Sequence, residues 1–165
     1  MTTESSIARV TALPLPWAIA ASDSAIQLKV VENEDCSVTT NSFWGLHSEH
    51  TDYRKVVISF TDVICIHYGF YLNDHDPGGR ESMDWSQFYV QPQNEKELED
   101  LLTANSLQWQ STGLSPDPRF YEIIGSKWRN SYSPRLRHFL VCGADIFLEI
   151  LALDFSWQVE REKGS

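Results

Sequence analysis

Apolar and polar positions along the chain fall into short runs of different period. Residues 26–31, Ile-Gln-Leu-Lys-Val-Val, partly alternate, as a strand with one buried face does. The acidic turn Glu32-Asn33-Glu34-Asp35 ends that run. Residues 56–68 read Val-Val-Ile-Ser-Phe-Thr-Asp-Val-Ile-Cys-Ile-His-Tyr. β-Branched residues dominate there, and Thr61-Asp62 at the middle suits a turn. The pattern predicts a hairpin of 56–60 with 63–68, one long strand being the alternative. Residues 139–151 read Phe-Leu-Val-Cys-Gly-Ala-Asp-Ile-Phe-Leu-Glu-Ile-Leu. Gly143-Ala144-Asp145 is the stronger turn, because glycine takes positive φ without steric penalty. A second hairpin, 136–142 with 146–153, is predicted.

Two segments carry helical spacing. In the first, Asn94 suits an N-cap and Glu97 stands three residues on, as in a capping box. Leu98, Leu101 and Leu102 follow at i, i+3 and i+4. Glu95, Glu97, Glu99 and Asp100 crowd the first turns, where the helix dipole favours negative charge. In the second, Asp117 can cap and Pro118 suits the first helical position. Phe120, Ile123, Ile124 and Trp128 recur at helical spacing before Pro134 ends the segment.

Together these elements predict one α+β domain over 1–165: an antiparallel sheet built largely of hairpins, with two or three helices packed on one face. Residues 1–24 read as an extended arm, punctuated by Pro14 and Pro16, that packs Trp17 and Ile19 onto the domain. This arm superficially resembles a secretion signal. However, Glu4 and a single Arg9 make a poor basic leader, and the prolines interrupt the apolar run. No repeat or Gly/Ser linker divides the chain.

Composition changes this picture little. The 165 residues are 42% hydrophobic and 22% charged, a globular balance that argues against wholesale disorder. No apolar stretch is long enough for a membrane helix, so no membrane partner is expected. Cys36, Cys65 and Cys142 form no CxxC pair, which argues against a disulfide scaffold or an all-cysteine zinc site. Cys65 and Cys142 lie in apolar runs and read as buried thiols. A cytoplasmic location is expected.

Charge changes it more. The formal net charge is −10, which disfavours a nucleic-acid partner. Residues 1–118 carry net −11, and residues 119–138 carry net +4. That basic segment makes Arg129, Arg135 and Arg137 candidate anion-binding residues, since arginine forks grip carboxylates and phosphates. The competing reading is pairing with acids of the same chain.

Candidate chemistry is sparse. His47-x-x-His50-x-Asp52 has ligand types suited to zinc or iron. It lacks an evident fourth ligand, so neither a metal nor another cofactor is expected. Residues 74–85 start like a calcium loop, but Trp85 stands where the bidentate Glu belongs. Residues 73–79 are better read as a tight turn. No GxSxG, GxGxxG, GxxxxGK[ST] or HExxH occurs, which weighs against catalysis without deciding it. Six tryptophans are present. Trp44 and Trp85 lie in polar contexts, where exposed aromatics anchor interfaces. With the acids Glu32, Glu34 and Asp35 they form the expected binding face. The function expected is a small, acidic, non-catalytic binding module of the immunity or inhibitor kind, which masks a basic protein. The alternatives are a small hydrolase using His47, His50 and Asp52, or a subunit of a homo-oligomer.

Overall fold

The computed structural model describes residues 7–20, 26–31, 36–45, 52–71, 81–88 and 91–160. In chain order the strands are β1 (Ala8–Ala12), β2 (Ala18–Ile19), β3 (Gln27–Lys29), β4 (Cys36–Phe43), β5 (Tyr53–Thr61), β6 (Cys65–Phe70) and β7 (Met83–Asp84). After them come helix α1 (Glu95–Thr112), β8 (Phe120–Ile124), the one-turn α2 (Lys127–Asn130), β9 (Arg137–Cys142), β10 (Ile146–Ala152) and β11 (Asp154–Val159).

Two sheets form. The larger runs β6-β10-β9-β8-β1-β7, antiparallel except for β1 beside β7. The smaller runs β11-β5-β4-β2, and β3 pairs with another stretch of β4. The N-terminal arm therefore supplies sheet strands: β1 is paired on both sides, with β8 and β7. Trp17 and Ile19 are fully buried.

One hairpin is present: β9 pairs with β10, Phe147 opposite Cys142. The other is absent. Residues 56–60 and 63–68 turn at Asp62, which takes φ 51°, but the two halves enter different sheets. β5 pairs with β11 and β6 with β10, so β5–β6 and β10–β11 form one ribbon bent across both sheets. At the bend, Ile64 N–H donates to Leu151 O (2.9 Å) and Leu153 N–H to Thr61 O (3.0 Å).

The main core lies between the sheets. Phe120, Phe139, Val141, Leu148 and Ile150 meet Val38, Val56, Ile58 and Phe60. Phe60 stacks tilted or edge-on with Phe139 and Phe120, at centroid separations of 5.5 and 5.9 Å. The larger sheet also buries its outer face, where Val10, Tyr121, Ile123, Leu140 and Phe147 cluster with Trp85. Strands buried on both faces lose their alternation, which explains the continuous apolar runs of β9 and β10.

The α+β expectation is thus overturned: the chain is mostly β, in two sheets, and no layer of helices covers one of them. The first helix forms, with Asn94 Oδ1 accepting from Glu97 N–H (3.0 Å) and Glu97 Oε2 accepting from Gln93 N–H (2.7 Å). Its one buried residue is Trp109, which packs against Phe43. Phe120–Ile124 of the second predicted helix form β8 instead, and only Trp128 falls in a helix, the one-turn α2. The residues of β8 alternate between the two cores, Phe120 facing the smaller sheet and Tyr121 and Ile123 the outer face. Arg119 at φ 57° and Gly125 at φ 79° bracket it, and neither backbone continues a right-handed helix. No helix among the described residues is long and apolar enough to cross a membrane.

Candidate functional site

The expected site residues do not converge. Glu32, Glu34, Asp35, His47 and His50, with the turn at 73–79, lie outside the described residues. Asp52 is exposed and held by Arg54, whose Nε and Nη2 donate to its two oxygens at 3.0 and 2.6 Å. That hydrogen bond lowers the Asp52 carboxyl below its ordinary range. Arg54 also covers the ring of Trp44 at 4.4 Å, and Trp44 leans on Trp157. Trp44 is therefore half-buried, its indole N–H given to Ser42 Oγ.

Trp85 is 8% exposed, edge-on to Tyr121 at 5.3 Å, and is not the exposed anchor expected. Its polar neighbours in sequence disguise a residue of the outer core. Arg137 forks onto Glu122 (3.0 and 2.7 Å) and reaches Asp154 (2.7 Å), which gives it the internal pairing. Arg129 bonds Asn130 Oδ1, while Arg135 is exposed. Cys36 and Cys142 are buried, but Cys65, on β6, is only half-buried.

A polar chain that sequence reasoning missed crosses the outer face of the larger sheet. Strand register sets His67 opposite Glu149, and His67 Nδ1 lies 2.6 Å from Glu149 Oε2. His138 Nε2 lies 3.3 Å from Glu149 Oε1, both side chains wholly buried. On its other side His138 Nδ1 is 2.8 Å from Ser126 Oγ. The Ser126 hydroxyl donates to Glu81 Oε1 (2.6 Å), whose carboxylate also accepts from Lys127 and Trp128 N–H.

The set resembles a Ser–His–Glu triad in composition only. The Ser126 proton is committed to Glu81, its oxygen accepts from Arg129 N–H (3.0 Å), and the hydroxyl is 0% exposed. A nucleophile also needs a path to substrate, and the wholly buried Ser126 has none. The network instead ties α2 and residue 81 to the sheet. Among the described residues no three His, Cys, Asp or Glu side chains form a metal cluster.

A cavity of about 490 Å³ opens beside this face where β8 begins and the β9–β10 turn ends. Its walls are aromatic: Phe70, Tyr71, Phe88 and Tyr121. Its polar groups are Arg119, Asp117 and Asp145. Two smaller cavities adjoin along residues 115–119, under α1, and Asp117 lines all three.

Arg119 holds the floor. Its Nε donates to Cys142 O (3.3 Å), and its Nη2 to Gly143 O (2.6 Å) and Tyr71 OH (3.4 Å). Burial opposes its charge, but the neighbouring Tyr71, Cys142 and Tyr121 groups outweigh burial and raise its pKa. Tyr121 OH donates to Asp117 Oδ1. Burial raises the Tyr71 phenol and pushes the Cys142 thiol up to about 12.

No protein-family model, curated protein or solved structure matches the chain. The site is therefore read from its own geometry. Two signals for the polar chain were present in the sequence: Glu149 and His67 interrupt otherwise apolar strands, where an ionisable group needs a buried partner. Nothing local marked Arg119, because its neighbours come from residues 71, 121 and 142.

Proposed function

We infer that this protein is a non-catalytic binding module for a basic partner protein, working in the cytoplasm. The single observation that carries the reading is α1. Eighteen residues long, it buries only Trp109. Leu98 and Leu102, on the same stripe, are 43% and 54% exposed. Glu95 and Glu99 stand one turn before these leucines, and Glu97 and Asp100 add two more carboxylates. An uncovered apolar stripe edged by acids suits an amphipathic basic surface: its charges steer association and its leucines slow release.

The net charge of −10 supports a basic protein over nucleic acid or an anionic membrane. The three free cysteines suit a reducing compartment.

The test is affinity capture with the parent and a Leu98→Asp/Leu102→Asp bait, at low and high salt. The expected result is a basic protein held by the parent at low salt, and lost at high salt and from the variant. Capture of RNA, or of a partner indifferent to both changes, overturns the reading. Capture of an untagged copy of the chain would favour the oligomer. For that outcome the exposed Tyr68 and Phe70 on β6, which has one pairing partner among the described strands, are the natural contact.

A further inference from the structure

Arg119 poses a question the α1 surface does not answer. It is a half-buried cation at the floor of a cavity, and no described carboxylate lies within ion-pair range of it. Arg54 and Arg137, by contrast, are paired with carboxylates. In a chain of net charge −10 this is unexpected, since acids are plentiful. A guanidinium has five N–H donors. Nε and Nη2 are spent on two carbonyls and a phenol, which fix the plane of the group, while Nη1 has no partner among the described residues.

The backbone adds a second observation. Arg119 takes φ 57°, a left-handed conformation that is sterically disfavoured for a non-glycine residue. Such strain clusters at ligand clamps, where the fold holds a side chain in place against its local preference. Here it sets the side chain under the β9–β10 turn and against the cavity.

We propose that this cavity is a binding site for a monocarboxylate with an aromatic or apolar body, the carboxylate seated on Arg119. The floor supplies a preorganised cation, braced by Tyr71, whose hydroxyl donates to Gly143 O (3.1 Å) and accepts from Arg119 Nη2. Phe70, Phe88 and Tyr121 supply flat apolar walls. The volume, about 490 Å³, falls in the range of small-molecule sites. Asp117 and Asp145 also line the cavity and oppose any anion, a doubly charged one more than a singly charged one, so the ligand's charge must sit in direct contact with Arg119. A phosphate monoester is thereby disfavoured against a carboxylate. The carboxylate can belong to a free acid or to the last residue of a peptide, since both present the same group to Arg119.

The experiment is a chemical-shift titration of the full chain, following the amides of Arg119, Cys142 and Asp145. The probes are phenylacetate, N-acetylglycyl-phenylalanine, phenethylamine and phenyl phosphate. Phenylacetate or the peptide should saturate at low-millimolar concentration or below, and phenethylamine and phenyl phosphate should not. Tighter binding of the peptide assigns the site to a chain terminus, and tighter binding of phenylacetate to a free acid.

Arg119→Gly keeps the positive φ, removes the guanidinium, and should weaken the carboxylate at least about tenfold. The probe comparison on the parent protein stands whether or not that variant folds. Equal binding of phenethylamine and phenylacetate, saturation by neither carboxylate, or undiminished affinity in a folded Arg119→Gly would each overturn the proposal.

Discussion

Cys142, Tyr71 and Tyr121 meet where β9 ends, and burial keeps all three protonated beyond their ordinary range. The thiol is pushed from 9.0 up to about 12, and both phenols are raised above 10.0. An unfolded chain releases these protons at the ordinary values, whereas the folded one retains them. Above about pH 9 the folded state therefore holds more protons, and stability falls as pH rises. The stabilising contribution of Cys142 is complete below about pH 9 and is lost as pH approaches about 12. Each retained proton contributes a slope of about 1.4 kcal/mol per pH unit. Urea midpoints should be level near neutrality and drop above about pH 9, and Cys142→Ala should drop less steeply. An identical alkaline slope in parent and variant would show that the thiol is not held protonated. None of this convergence was legible locally, since residues 71, 121 and 142 meet only through sheet register. What could be read was that Cys142 sits in an apolar run and is buried.

Elements were more legible where they close their own hydrogen bonds. The Asn94–Glu97 box starts α1 as expected, because both partners lie within one turn. Phe120, Ile123 and Ile124 misled because offsets of three and four fit a helix, while 121 and 123 also fit a strand buried on both faces. Gly69 lies opposite Phe147 in the β6·β10 pair. A Cβ there would stand 2.6 Å from Phe147 Cζ, and Phe147 is 1% exposed, with little room to yield. Gly69→Ala should cost about 1–3 kcal/mol by overpacking. Phe147→Leu alone should also destabilise, through lost volume. The double variant should be more stable than the two costs added, because each change relieves the other. Strict additivity in urea unfolding would mean that the two residues do not press on each other.

For the whole molecule, the decisive feature is which strand each half-run joins. A hairpin within one sheet and a corner between two sheets look alike locally: an apolar run, a turn-capable pair, another apolar run. Residues 56–68 take the corner, with β5 paired to β11 and β6 to β10, and 139–151 the hairpin; at the corner Phe60 and Phe155 pack on Phe120 and Phe139. The outcome has a consequence for unfolding. β5–β6 and β10–β11 each serve both sheets, and their bends are hydrogen-bonded to one another. Neither sheet can open without breaking the ribbon that the other needs, and Trp17 packed on Trp157 lies in the shared core. The two sheets should therefore unfold as one unit. Tryptophan fluorescence and far-ultraviolet circular dichroism should give coincident urea transitions. The slowest amides of β4–β5 and of β9–β10 should exchange with the same free energy, equal to the global value. If β4–β5 amides exchange through an opening easier by about 2 kcal/mol or more, the smaller sheet is an independent unit and the bent ribbon does not couple the two.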